Sequence, residues 1–230
     1  MKEIKENRQE KAYYQVIDYI KQLVKENKVG FGGKIPSERE LMETLGLGRN
    51  SIREALRTLE HMGVIESCHG KGNYLVDHMG ESLSSVFSML IFMKESNFQE
   101  VNQLRKAIEV QAVVQAVDRI GEAEKEQFTD IIGRMEHGDH SMRVQADQDF
   151  HHLLIQCAGN HLLEVLMEAL SEVCREEILM VLDDATEEYV IQWLNLHQKI
   201  YRCLMDKNKE QGIDAILEHY RWSDKWTSGD

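Results

Sequence analysis

The segment IPSERELMETLGLGRNSIREAL, residues 35–56, contains two short amphipathic stretches separated by a glycine-rich turn. Ser37 and Glu40 have the spacing of a capping box, in which each side chain accepts the other residue's free amide, so a helix is expected to start at Ser37. Gly-Leu-Gly at 46–48 ends that helix in a tight turn, and a further helix is expected over about 50–62. Two short helices joined by such a turn are typical of a helix-turn-helix unit.

The flanking sequence completes a winged-helix pattern. Apolar residues at helical spacing predict an earlier helix over about 12–27. After the helix-turn-helix unit, residues 64–67 and 73–76 are expected to form two short strands around His-Gly-Lys-Gly at 69–72, a turn that glycine permits. We therefore predict a winged helix-turn-helix over residues 1–78.

The third helix of this unit begins with donors suited to nucleic acid. Arg49, Asn50, Ser51 and Arg53 lie at its N-terminus, with Arg57 one turn later. A helix N-terminus and arginine side chains suit phosphates and guanine edges in a major groove. The alternative is an ordinary solvated, charged helix end.

The acidic charge of the chain is confined to its second part. Residues 1–79 hold 13 basic and 12 acidic residues, whereas residues 80–230 hold 14 and 28, which accounts for the net charge of −13. A near-neutral N-terminal domain can still present a basic face to phosphates. No apolar run approaches the roughly 20 residues of a membrane span, and the N-terminus has no hydrophobic segment. A cytoplasmic protein without membrane association is expected.

Beyond a short glycine- and serine-containing linker at 79–83, the chain is expected to be entirely helical over 84–230. No proline interrupts this part, and the apolar pattern shows no strand signal. An all-α antiparallel bundle follows, so the fold class is mostly α. The helices are expected over about 83–94, 98–120, 123–137, 142–158, 162–182, 187–205 and 209–226.

Several apolar helix faces of this bundle carry polar residues. Burying such a group without a partner costs roughly 2 kcal/mol or more, so each needs a reason to be there. Asp147 and His151 stand at i and i+4, so both reach the same point on one helix face, although this pair alone is a weak metal signal. The neighbouring Asp149 and His152 point elsewhere, because a helix turns about 100° per residue. The other polar residues on these faces are Arg105, His197 and His219.

The first domain closely resembles the GntR family of bacterial regulators. The resemblance rests on residues 35–41, 45–56, Leu59-Glu60, Gly63-Val64-Ile65 and the His69-Gly70-Lys71-Gly72 turn. It implies that the arginine of the Pro-Ser-Glu-Arg-Glu run and the two arginines of the recognition helix contact the operator. These positions are Arg39, Arg49 and Arg53, and the wing glycine is Gly70, next to His69. Gly48 departs from the family pattern, where a Ser or Thr often supplies a hydroxyl to phosphate.

The second domain looks like the FCD-type sensor domain of the FadR-like subgroup of that family. The motif Asp147-Gln-Asp-Phe-His151, the run Ala-Gly-Asn at 158–160, and His197 and His219 carry this resemblance. It implies that Asp147, His151, His197 and His219 hold a divalent ion, commonly zinc, nickel or manganese. It further implies that Arg105 pairs with a bound organic acid through its planar fork. The alternative for Arg105 is an ion pair with Glu109 on the same helix.

Together these features predict a transcriptional repressor rather than an enzyme. It is expected to bind a pseudo-palindromic double-stranded operator as a homodimer, because one short helix contacts too few bases for useful specificity. A small carboxylate bound at the metal is expected to modulate operator affinity. Two alternatives remain: a regulator for which the ion itself is the signal, and a metal-dependent hydrolase with a DNA-binding tether. The second is disfavoured because no general base is evident beside the four ligands.

Overall fold

The structure is a computed structural model that describes residues 2–183 and 186–227, with side chains described over 13–175 and 186–224. The predicted start of the first domain at residue 1 and the predicted end of the second domain at residue 230 lie outside the described residues. Contacts divide the chain into two compact units, one running through Ser82 and the other starting at Leu83. The predicted mostly α fold class is confirmed, with a winged helix-turn-helix in the first unit and helices alone in the described part of the second.

The first unit contains three helices and a two-stranded sheet. Val16 of the first helix and Ile52 of the third, both without solvent exposure, belong to its core. The strands are antiparallel, with Ile65 opposite Leu75, and Lys34 adds a single bridge to Tyr74 that extends the sheet. The elements are α1 Lys2–Lys25, α2 Glu38–Leu45, α3 Arg49–His61, β1 Ile65–Cys68 and β2 Gly72–Leu75.

The capping box predicted at the start of α2 is confirmed. The backbone amide of Ser37 donates to Glu40 Oε2 at 2.7 Å, and the amide of Glu40 donates to Ser37 Oγ at 3.3 Å. Gly46 ends the helix in the left-handed conformation, with φ 65°. Helix α3 then starts directly after Gly48, which offers its amides no side-chain cap. The donors at the start of α3 are therefore left for other partners.

One boundary in this unit was predicted wrongly. Helix α1 begins at Lys2, ten residues before the start expected from the apolar pattern. Residues 2–11 show no apolar periodicity, but they are rich in Lys, Glu and Gln, which have high helix propensity. Propensity rather than amphipathicity extends the helix.

The second unit is a helical bundle. Phe128, Phe150 and Leu154 are among its fully buried residues. None of the helices in the described part is both long and apolar enough to span a bilayer. The elements are α4 Met79–Phe92, α5 Phe98–Ala116, α6 Glu122–His137, α7 His140–Ala158, α8 His161–Asp183, α9 Glu187–Met205 and α10 Lys209–Thr227. Helix α5 contacts α7, α8 and α10, while α9 contacts α6 and α10.

The division between the two units, between Ser82 and Leu83, falls inside the predicted linker at 79–83, but these residues are helical and form the first turn of α4. The amide of Ser82 donates to the carbonyl of His78, as in a continuous helix. Gly80 and Ser84, the small residues that suggested a break, are both buried.

Helix α5 also ends earlier than expected, at Ala116 instead of near residue 120. The amides of Arg119 and Ile120 both donate to the carbonyl of Ala116, which closes the helix in a tight turn. Apolar residues continue past Ala116, so their periodicity predicted a longer helix than the one observed.

Candidate functional site

The start of α3 presents its arginines to solvent. The side chains of Arg49 and Arg53 are 70% and 50% exposed, and that of Arg39 is 83% exposed. Asn50 is also exposed and Ser51 is half-buried. His69 and Gly70 lie exposed at the turn of the β1–β2 hairpin, where Gly70 has φ 72°. All seven residues predicted to contact DNA are thus at least partly accessible within the first unit.

One acidic residue lies between the two recognition-helix arginines. Arg49 Nε lies 3.6 Å from Glu38 Oε2, and Arg53 Nε lies 3.4 Å from Glu38 Oε1. Exposed ion pairs contribute only about 0–1 kcal/mol, so neither arginine is held strongly. Glu38 can therefore orient both guanidinium groups without preventing them from reaching a phosphate or a base.

The four predicted metal ligands come together inside the second unit. Helix α7 supplies Asp147 and His151, α9 supplies His197, and α10 supplies His219. One ligand atom from each of the four lies within 4.8 Å of the others. All four residues are buried, at 5%, 1%, 0% and 7% exposure in chain order.

The spacing of these atoms fits a shared ion. His197 Nε2 lies 3.1 Å from Asp147 Oδ1 and 3.4 Å from His151 Nε2. His151 Nε2 lies 3.9 Å from Asp147 Oδ1. Two ligands about 2.1 Å from one ion lie roughly 3.0 Å apart at a right angle and about 4.2 Å apart when opposite. The three distances fall within that interval.

Neighbouring groups fix the orientation of two imidazoles. His197 Nδ1 donates to the carbonyl of Trp193 at 2.9 Å, so its Nε2 carries the lone pair that faces the cluster. His151 Nδ1 lies 2.7 Å from Glu109 Oε2, to which it donates, so its Nε2 is likewise available. Trp193 Nε1 donates to Asp147 Oδ1 at 3.1 Å. Such outer contacts are typical of metal sites in proteins.

The protonation of Asp147 and His219 also suits a cation. Burial opposes ionisation of Asp147, but its contact with His197 and the positive charge that the three imidazoles carry when protonated hold its pKa well below the usual range. Burial, followed by repulsion from His197 and His151, lowers the pKa of His219 well below its ordinary value. Asp147 thus favours its carboxylate form and His219 its neutral form, the forms that bind metal. Against its burial, Glu109 and Asp147 raise the pKa of His151. His219 Nδ1 is buried and has no hydrogen-bond partner among the described residues.

Arg105 lies on α5 beside this cluster. It is 5% exposed, and its Nε has no hydrogen-bond partner among the described residues. Burial opposes its charge, but Tyr220, Cys174, Glu109 and Asp147 raise the pKa of Arg105 above its ordinary value. A buried guanidinium that keeps its charge and has a donor to spare is suited to an anion.

Asp149 and His152, the two residues expected to point away from the cluster, do so. Asp149 Oδ2 accepts from Arg134 Nη1 at 2.7 Å, and His152 is exposed and hydrogen-bonded to Gln156. The helical angle therefore separated them correctly from Asp147 and His151.

Sequence reasoning missed Glu109 as part of the site. It considered Glu109 only as an ion-pair partner of Arg105 and found no further carboxylate beside the ligands. The Glu109 side chain is fully buried, and its two oxygens accept from His151 and from Tyr220 OH. The available signal was its position at i+4 from Arg105 on a buried stripe of α5. Trp193, Tyr220 and Glu38 were missed too, because their roles depend on tertiary contacts.

Two family models match the chain, in agreement with its two units. The model for bacterial regulatory proteins of the gntR family matches residues 12–75, and the model for the FCD domain matches residues 100–221. The FCD match alone covers more than half of the chain, and it contains all four clustered residues together with Arg105.

Several curated proteins are similar along most of their length. The uncharacterized regulator YcbG of Bacillus subtilis is 28% identical over 90% of this chain and 86% of its own. The transcriptional regulator LutR of the same organism is 27% identical over 86% and 92%. The transcriptional repressor NanR of Klebsiella aerogenes is 24% identical over 90% and 81%.

Solved structures show the same fold. A GntR protein of Streptococcus agalactiae is 25% identical, with a TM-score of 0.72 over 91% of this chain and 97% of its own. The McbR/YncC protein of E. coli, at 16% identity and a TM-score of 0.51, supports the fold alone.

Proposed function

The chain belongs to the GntR family of bacterial regulatory proteins and carries an FCD domain, and we propose that it is a repressor whose operator affinity is set by a small carboxylate bound at a divalent metal. The coarser function, DNA-binding transcriptional regulation, follows from the family, which also rules out the hydrolase alternative. The observation that carries the finer proposal is the buried cluster of Asp147, His151, His197 and His219 with Arg105 beside it.

The donor set fits a divalent ion of intermediate softness. Three imidazoles and one carboxylate are ligands that zinc, nickel and manganese all accept. Without an ion, His219 Nδ1 has no partner among the described residues, and burial followed by repulsion from His197 and His151 lowers the pKa of His219. Asp147, His151, His197 and His219 would hold the ion, and the bound ion would supply a Lewis-acidic centre for an oxygen ligand. Its identity among the three metals stays open.

Arg105 makes a carboxylate the favoured effector. Its guanidinium is planar and presents parallel N–H donors that match the two oxygens of a carboxylate. It is buried close enough to Asp147 for the two charges to interact, so an acid bound there meets both the arginine and the metal region. Repression as the direction of control rests on relatives such as NanR of Klebsiella aerogenes, which is named a repressor.

Homodimerisation is supported by an exposed apolar stripe on α4. Val86, Met89 and Leu90 follow helical spacing on α4 and are 55%, 54% and 39% exposed, and Met93, directly beyond the end of the helix, is 58% exposed, while Phe87 packs against the core of its own unit. A helix that is apolar on two faces needs a partner for the second one. GntR-family regulators usually act as dimers, so a second copy of the chain is the proposed occupant. A homodimer would bind a pseudo-palindrome.

Replacing Arg49 or Arg53 with Ala is expected to weaken operator binding by about 1–3 kcal/mol, the loss of one bidentate contact to guanine. Thermal stability should not change, because both side chains are exposed and their ion pairs with Glu38 are weak. The measurement is fluorescence anisotropy with a duplex selected from a random pool by the wild-type protein. Arg221→Ala, an exposed arginine on α10, is the control. Affinity equal to wild type in both variants would contradict the recognition-helix assignment.

The intact chain is expected to run at twice its mass of 26.7 kDa in light scattering at micromolar concentration. Met89→Glu should shift the population towards monomer, because it places like charges in the proposed interface. Ile191→Glu on α9 is the matched control, since Met89 and Ile191 are both 54% exposed. A monomeric wild type rejects the dimer, whereas a dimer that withstands Met89→Glu moves the interface away from this stripe.

Removing metal with a chelator is expected to lower the melting temperature, and adding zinc, nickel or manganese should restore it by mass action. His197→Ala and His219→Ala should each abolish the metal-dependent part of this shift. His152→Ala should retain it, because that side chain lies on the exposed side of α7. Elemental analysis without metal, combined with a melting curve that an excess of ion does not move, would refute the metal site.

Arg105→Ala is expected to keep the metal-dependent shift in melting temperature but to lose the response to organic acids. Operator affinity is measured with metal alone and with metal plus a panel of mono-, di- and tricarboxylates. A full change in operator affinity on adding metal alone would instead favour the alternative in which the ion is the signal. An unaltered acid response in Arg105→Ala would remove the arginine from the effector site.

A further inference from the structure

Glu109 is a fully buried carboxylate with two specific hydrogen-bond partners. Its Oε2 accepts from His151 Nδ1 at 2.7 Å, and its Oε1 accepts from Tyr220 OH at 2.5 Å. These partners lie on α7 and α10, 42 and 111 positions away from Glu109, which itself lies on α5. One carboxylate thus ties together three helices of the bundle beside the Asp147–His151–His197–His219 cluster.

The contact with His151 determines which nitrogen faces the cluster. A carboxylate can only accept, so the proton of His151 stays on Nδ1 and the lone pair on Nε2. That Nε2 lies 3.4 Å from His197 Nε2 and 3.9 Å from Asp147 Oδ1. A hydrogen-bonded carboxylate also makes an imidazole a stronger electron donor to a metal ion.

Tyr220 restrains the same carboxylate from its other side. Tyr220 is 2% exposed, follows His219 directly on α10, and contacts Glu109 through the atom that His151 does not use. With both oxygens engaged, the Glu109 side chain has one position from which it can orient His151.

The simpler explanation, an ion pair of Glu109 with Arg105 on the same helix, does not account for these contacts. The charges of Arg105 and Glu109 do attract each other. The hydrogen bonds of Glu109, however, go to His151 and Tyr220, and Arg105 Nε has no partner among the described residues. Glu109 therefore leaves the nitrogen donor of Arg105 available while it holds His151.

We propose that Glu109, braced by Tyr220, is a positioning residue that sets the affinity of the centre for a divalent cation by fixing the orientation and proton of His151. This inference rests on the proposed metal site. It adds a carboxylate–histidine pair behind one ligand and assigns Glu109 no contact with the ion.

The test compares metal affinity in full-length variants by calorimetry with zinc, in competition with a chelator of known affinity. Glu109→Gln keeps the shape of the side chain and an acceptor for His151, but it removes the negative charge. It should weaken zinc binding about 10- to 100-fold, the usual effect of losing such an outer contact. Tyr220→Phe should produce a smaller loss in the same direction, because it frees the carboxylate without removing it.

Asp149→Asn is the matched control. It removes a carboxylate from α7 close to His151, but Asp149 is paired with Arg134 and lies outside the cluster. Its zinc affinity should equal that of the wild type. The melting temperature of each metal-free variant separates folding from binding, because a merely structural role would lower that temperature and leave the affinity unchanged.

The outcomes distinguish a failure of the proposed metal site from a failure of the positioning role of Glu109. If the wild type binds none of zinc, nickel and manganese, the metal site itself fails. If the wild type binds zinc and Glu109→Gln binds it equally well, the positioning role is overturned while the metal site stands. A loss confined to Glu109→Gln and Tyr220→Phe, with Asp149→Asn unchanged, supports the proposal.

Discussion

The burial of Asp147 and three histidines at one point of a helical bundle is the constraint on which the sensor unit depends. An isolated polar group taken out of water costs roughly 2 kcal/mol or more, and a charged one costs considerably more. Here hydrogen bonds to neighbouring residues offset part of the cost. The indole of Trp193 donates to Asp147, and the carbonyl of Trp193 accepts from His197. Glu109 accepts from His151. His219 Nδ1 remains without a partner in the described residues. The internal contacts thus satisfy most of the cluster but not all of it.

The helices that form the cluster are positioned by ordinary apolar packing. On α7 the fully buried Phe150 is next to His151, and the fully buried Leu154 lies about one turn beyond it. On α10 the fully buried Ile216 lies about one turn before His219. Phe150 also contacts the rings of His151 and His197 edge to face, at 5.7 and 5.1 Å between ring centres. The apolar core and the polar site therefore share side chains. A substitution that repacks this core would move the ligands as well, and close packing leaves little room for such a shift.

The sequence predicted those features that depend on near neighbours in the chain. Ser37 and Glu40 are three residues apart, and Asp147 and His151 are four apart, so helical geometry alone brought each pair together. His197 and His219 joined the cluster only through resemblance to a family, because nothing in their spacing brings α9 and α10 to α7. Glu109 was not predicted as part of the site for the same reason, since its partners lie on other helices. The predicted linker at 79–83 contains the division between the two units, but its helical conformation was not predicted from the glycine and serine there.

Among the arginines to which we assign a role, Arg49 and Arg53 in the first unit and Arg105 in the second occupy contrasting environments, and this contrast bears on the proposed function. Arg49 and Arg53 are largely hydrated and share one carboxylate, Glu38, so little free energy is lost when they exchange it for another anion. Such residues suit an extended polyanion that many weak contacts hold and that salt can displace. Arg105 is removed from water and surrounded by groups that keep it charged. An anion bound there, as proposed, would have to be small enough to enter the bundle, and each hydrogen bond to it would be stronger because water does not compete. An arginine side chain thus suits DNA where it is exposed, in the first unit, and a small acid where it is buried, in the second.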